Sequence, residues 1–139
     1  MFRRLFNYIS GANDAQAKIE MTAPVLRMYQ NMNGNDLINE NTYVTITERF
    51  YIPKVNQENT PIPTDAQESI VIEPEMTVAT YRFGGKANFE DYIYYRDLLI
   101  SKLGEQAQEY DLVNMITAGY SSPYTLFNRR NEIILKKKL

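Results

Sequence analysis

The sequence predicts an α+β fold of two amphipathic helices and several strands, laid out as two similar halves. Three observations carry this. Apolar residues recur at helical spacing in two separate segments. Strand-like alternation occupies most of the remaining chain. The order of elements in the second half echoes that of the first. At 139 residues the length suits one domain, taken here as residues 1–139.

The first helix covers residues 1–10. Phe2, Leu5, Phe6 and Ile9 stand at i, i+3, i+4 and i+7, which is one face of a helix. Gly11 is the expected stop, and Asn13-Asp14 marks a turn. Residues 18–30 read as a strand. Pro24 cannot donate to a ladder and so points to an edge or a bulge. Asn33-Gly34-Asn35-Asp36 is a hairpin-type loop.

Residues 42–52 alternate well. Val44, Ile46, Phe50 and Ile52 point one way, and Tyr43, Thr45, Thr47, Arg49 and Tyr51 the other. The stretch from Asn56 to Gln67, with Pro61-Ile62-Pro63, reads as a surface connection. Ile70-Val71-Ile72 is a short strand, and Met76–Phe83 another, ended by Gly84-Gly85. The second helix spans residues 87–103. Asn88 is its expected N-cap, with Glu90 and Asp91 in the favoured first turn. Phe89, Tyr92, Ile93, Leu99, Ile100 and Leu103 form its stripe, interrupted by Arg96, and Gly104 ends it. Residues 113–118 and 133–138 are the closing strands.

The second half thus runs strand, helix, strand, strand, and the first runs helix, strand, strand. Met21-Thr22-Ala23 and Ile116-Thr117-Ala118 occupy matching places. If the halves are equivalent, the first lacks an opening strand.

Composition excludes several functions. With no Cys there are no disulfides, thiolate metal sites or thiol nucleophiles. With no His there is no Ser-His-Asp triad, ordinary zinc site or proximal-His haem. Lys plus Arg is 15 against 17 for Asp plus Glu, a net charge of -2, which argues against a nucleic-acid binder. No apolar run approaches the ~20 residues of a membrane span. Met1-Phe2-Arg3-Arg4-Leu5-Phe6 lacks the apolar stretch of a secretory signal. A cytoplasmic location is therefore expected. No pair of acids or bases stands out for general acid–base work, so no enzyme is expected. Lys136-Lys137-Lys138 reads as a solvated tail, and Arg129-Arg130-Asn131-Glu132 as a turn held by side-chain hydrogen bonds and an ion pair.

Several segments resemble a known family. They are Tyr8-Ile9-Ser10-Gly11-Ala12-Asn13 with Lys18-Ile19-Glu20-Met21-Thr22-Ala23-Pro24-Val25; Phe50-Tyr51-Ile52-Pro53 with Pro61 and Pro63; Met76-Thr77-Val78 through Phe83-Gly84-Gly85; and Thr117-Ala118-Gly119-Tyr120-Ser121-Ser122-Pro123 with Asn128-Arg129-Arg130-Asn131-Glu132. In this order they are similar to the signatures of the SOUL haem-binding family, across nearly the whole chain. The resemblance implies a distorted antiparallel β-barrel or twisted sheet flanked by two helices, arranged as a pseudo-twofold repeat. Family domains normally begin with a strand before the first helix, which this sequence lacks. The axial His proposed in some members lies in that stretch; others bind haem in an apolar cleft beside the first helix.

The resemblance implies haem or another porphyrin as ligand, held non-covalently by a carrier or buffer and without His ligation. Haem needs an apolar wall, aromatic faces and cations near its propionates. Phe2, Leu5, Phe6 and Ile9 would form the wall, with Arg3 and Arg4 for the propionates. Tyr124, Leu126 and Phe127, in the loop before the final strand, would close the other side. Family members can place a basic residue in that loop where this chain has Thr125. The same helix stripe also reads as ordinary core packing. The alternative function is an interaction module with haem binding lost, since Ile100 to Glu105 resembles the helical motif of cell-death regulators. A missing strand would leave a sheet edge unpaired and open to homodimerisation.

Overall fold

A computed structural model of the protein describes residues 1–30, 32, 45–121 and 127–139. The elements are α1 (Phe2–Ile9), β1 (Val25–Gln30), β2 (Thr45–Phe50), β3 (Val78–Phe83), α2 (Phe89–Leu103), β4 (Met115–Gly119) and β5 (Asn131–Lys136), with 3-10 turns at Lys54–Asn56 and Gly104–Glu109. The strands form one sheet in the order β2-β1-β4-β5-β3, and every neighbouring pair is antiparallel. The two halves are visible in this order. β1 and β4 meet at the centre, β2 and β5 flank them, and β3 lies beyond β5. Among the described residues nothing pairs with the outer edge of β2, and the sheet does not close into a barrel.

Register divides the sheet into two faces, because successive side chains alternate. Tyr29, Met115, Ile133, Leu135, Tyr81 and Phe83 share one face and carry the main core with Leu99 of α2. Phe83 stacks on Tyr95 of α2 with centroids 4.0 Å apart. Met115, Ile133 and Leu135 are fully buried; each such side chain is worth about 1.5–3 kcal/mol in area removed from water. A second cluster joins Tyr8 and Ile9 of α1 to Ile19, Phe50 and Ile52.

The opposite face carries Met28, Ile116 and Ile134, which are cross-strand neighbours on β1, β4 and β5. Arg49 and Lys136 project from this face too. The carboxylate of Glu73 accepts a hydrogen bond from Arg49 and lies 3.6 Å from Lys136. β2 and β5 are three ladder spacings apart, ~14 Å in a flat sheet. One carboxylate thus reaches across the face from β2 to β5.

Helix ends follow the expected chemistry. The Asn88 side chain accepts from the Asp91 backbone N–H, and Asp91 accepts in return from the Asn88 N–H, a complete capping box. α1 ends at Ser10, followed by Gly11 at φ +127°. Gly104, at φ +57°, closes α2. Arg96, the interruption in the stripe, is buried, and its guanidinium donates to the Leu112 carbonyl at 2.7 Å.

Several elements differ from the sequence expectation. β1 begins only at Val25, because Pro24 has no N–H to give the ladder. Ile70-Val71-Ile72 is not a strand. The segment is exposed, with Ile72 at 93%, since β-branched composition does not make a strand without a partner ladder. β2 ends at Phe50, so Tyr51 and Ile52 lie beyond the ladder. Ile46, expected to face inward, is 41% exposed, while Glu48 beside it is buried and takes the Arg27 guanidinium at 3.3 Å. β5 starts two residues earlier than expected, at Asn131. The lysine run is not a free tail: Lys136 pairs with Glu73 and Lys137 with Glu109. The Asn33–Asp36 loop, Tyr43 and Val44 lie outside the described residues.

The segment Arg129-Arg130-Asn131-Glu132 is not a turn, since Asn131 and Glu132 open β5, but the side-chain hydrogen bonds and ion pair expected there are present. Arg130 donates twice to Glu132, at 2.7 and 3.1 Å, and lies over the Tyr120 ring at 4.1 Å.

Candidate functional site

α1 is short, and it is held by what lies under and beside it. Tyr8 and Ile9 are its buried residues. The Tyr8 hydroxyl donates to the Pro61 carbonyl at 2.6 Å. Burial pushes its pKa up, with help from the carboxylates of Asp14 and Glu68, so the phenol stays a donor. The Asn13 amide donates to the carbonyls of Tyr8 and Ala17 and accepts from the Ala17 N–H. The proline-rich connection packs back onto this end, with Asp14 accepting from Ile62 and Asn13 bridging Pro63.

The stripe read from the sequence therefore divides. Ile9 belongs to the core and is 5% exposed. Leu5 is half-buried. Phe2 and Phe6 face outward, 44% and 47% exposed. Their rings lie nearly parallel with centroids 6.2 Å apart, and the Phe2 ring meets Phe50 edge-on at 5.2 Å. The outcome is an aromatic surface with an apolar base. Exposing two Phe side chains to water is costly, by the same measure that makes burying them favourable.

The two arginines also part company. Arg4 donates to the Gln67 side-chain oxygen and lies 3.7 Å from the Asp65 carboxylate. Arg3 is exposed and has no ion pair among the described residues. Phe127 is 81% exposed and makes no ring contact with α1 among the described residues. Tyr124, Thr125 and Leu126 lie outside them. Phe50, read as a strand residue and part of a family signature but not as a site residue, proves to be part of the aromatic surface. Asp65 and Gln67, which engage Arg4, gave no signal in the sequence because the contact spans some sixty positions.

Phe2, Phe6 and Phe50 thus form an aromatic platform, and Arg3 on the same helix has no ion pair among the described residues. Among the described residues no group of three or more Asp or Glu could hold a metal ion, and no helix is long and apolar enough to cross a membrane. Ile100, in the segment resembling an interaction motif, packs on the main core, and Gly104 ends the helix before Glu105.

Comparisons with known proteins bear on this site. A family model described as SOUL heme-binding protein matches residues 1–136. The chain is 36% identical over 137 residues to Heme-binding protein 2 of Homo sapiens, covering 99% of this chain and 64% of that protein. It is 34% identical over 137 residues to Heme-binding protein 2 of Mus musculus, with the same coverage of 99% and 64%. It is 32% identical over 130 residues to Heme-binding protein 1 of Xenopus laevis, covering 94% of this chain and 65% of that protein. The chain thus spans just under two thirds of the length of these relatives.

Proposed function

The chain belongs to the SOUL heme-binding protein family, and from that premise we propose that it is a non-catalytic carrier or buffer for haem or a related porphyrin, acting in the cytoplasm. The observation that carries the reading is the exposed Phe2–Phe6 pair on α1, backed by Phe50. The rings supply an apolar bed, and half-buried Leu5 extends it. Arg3 is the residue for a propionate, because Arg4 is already engaged by Asp65 and Gln67. Phe127 is a candidate for the other side of the ring.

Haem brings its own iron and redox chemistry when bound. The chain has no His or Cys to tune it, and Tyr8 spends its hydroxyl on Pro61. Binding is then hydrophobic and modest, in keeping with a buffer more than a redox centre. The names of the relatives support the ligand.

Titration with hemin, followed in the Soret region, tests this. The expected result is a saturable 1:1 shift that Phe2→Ala and Phe6→Ala each weaken. No shift at micromolar hemin overturns the haem reading and favours an interaction module. The outer edge of β2, unpaired among the described residues, is where we place a homodimer contact; sedimentation equilibrium showing only monomer at high concentration overturns that part.

A further inference from the structure

The sheet face opposite both helices carries a cavity of about 200 Å³. Its floor is the cross-strand row Met28, Ile116 and Ile134. One step along the same strands, on the same face, stand Gln30 and Lys136 at the mouth. Asp111 and Asn114 lie beside them, because the Asp111 N–H donates to the Lys136 carbonyl at 2.7 Å. The site is therefore polar at one end and apolar below.

Volume and chemistry both narrow the occupant. A space this size equals about six or seven waters, and methionine and isoleucine walls give them few partners. An apolar cavity of about 150 Å³ takes a benzene ring, so this one suits a single ring or a chain of about eight carbons. At the mouth the Asp111 carboxylate is already occupied by the Val113 and Asn114 N–H groups and the Asn114 side-chain amide, at 2.8 to 3.1 Å. Among the described residues Lys136 has one ion-pair partner, Glu73, which is 3.6 Å away and itself 36% exposed. The cation at the mouth is thus the Lys136 ammonium, which a ligand would have to share with or take from Glu73, beside an Asp111 carboxylate that keeps its charge.

We propose that this cavity is a second ligand site, for a small amphipathic monocarboxylate. Its apolar body lies on Met28, Ile116 and Ile134. Its carboxylate takes over Lys136 from Glu73, with the Gln30 amide as a second donor. The site is separate from the aromatic surface of α1 and does not depend on haem being bound there.

Sodium octanoate and 1-octanol are the probes, with NMR of the methionine and isoleucine methyl groups as the readout. Octanoate should shift Met28, Ile116 and Ile134 saturably while the resonances of Phe2 and Phe6 stay put. Lys136→Gln should weaken octanoate about tenfold, in line with loss of a charge-assisted hydrogen bond, and leave 1-octanol unchanged. Met28→Phe and Ile134→Phe each fill the cavity and should abolish both shifts, with circular dichroism confirming the fold. Shifts confined to α1, or none at millimolar octanoate, overturn the proposal. So does unaltered octanoate binding in either folded filling variant. Hemin titration of the Lys136→Gln protein reads the α1 site independently and should match the wild type.

Discussion

Arg49 of β2 and Lys136 of β5 share one carboxylate, that of Glu73, although two strands lie between theirs. The hydrogen bond from Arg49, aided by Lys136, holds Glu73 below the ordinary carboxylate value of 4.5. The folded state therefore binds this proton more weakly than the unfolded chain. Its stabilisation is complete above about pH 4.5 and is lost as pH falls through the lowered value. Glu73→Gln should cost at most about 1 kcal/mol at pH 7, given its exposure. Urea denaturation at pH 7 and pH 3 checks this: the difference should shrink at the lower pH, and an equal difference at both would refute the assignment.

Glu68 is predicted to act in the opposite sense. Burial raises its pKa first, and Asp65 raises it further, against the pull of Arg4. One of its oxygens is buried without a hydrogen bond among the described residues. The folded state holds this proton more tightly than the unfolded chain, so its charge costs stability above the raised value and costs nothing once pH falls below about 4.5. Glu68→Gln should stabilise the protein at pH 7 by about 0.5 kcal/mol, with no gain at pH 4. A lower melting temperature for the variant at pH 7 would contradict it.

Glu132, the second residue of β5, is the hub of a side-chain cluster at the start of that strand. It accepts from Tyr120 at 3.0 Å and twice from Arg130. Glu132→Ala leaves both donors without their acceptor and should cost about 1–3 kcal/mol, against about 1 kcal/mol for Tyr120→Phe. The urea midpoint should move at constant slope.

The capping box makes Asn88 the residue on which the start of α2 depends. Asn88→Ala should lower stability by about 1 kcal/mol, and Asn88→Ser should recover most of it. Thermal unfolding followed by circular dichroism distinguishes the two.

On the haem reading, the two arginines of α1 should separate in their effects. Arg3→Gln should weaken hemin binding a few-fold with little change in melting temperature, as loss of one exposed charge-assisted contact would. Arg4→Gln should leave hemin affinity nearly unchanged and loosen the 61–68 connection, read as faster amide exchange at Ile62 and Thr64. Equal loss of affinity in both would assign the propionate contact to Arg4 as well.

What the sequence determined by itself was local or ordered along the chain. Helical spacing and an N-cap located α2 almost to the residue, because capping needs only Asn88 and Asp91, three positions apart. Apolar alternation located most strands, and the ordered signatures identified the family. The strand order was not legible there, nor was the exposure of Ile70–Ile72. A strand exists only when another supplies its ladder, and nothing within Ile70-Val71-Ile72 says whether one will. The α1 surface shows the same limit. Periodicity placed Phe2, Leu5, Phe6 and Ile9 on one stripe. Only packing decided that Ile9 goes to the core and the two Phe rings to the outside, because an eight-residue helix contacts the sheet along a band narrower than its apolar face. Likewise Arg3 and Arg4 are equivalent in sequence and unlike in the fold. The connection carrying Asp65 and Gln67 returns to one of them and not the other, and that choice depends on distance in space.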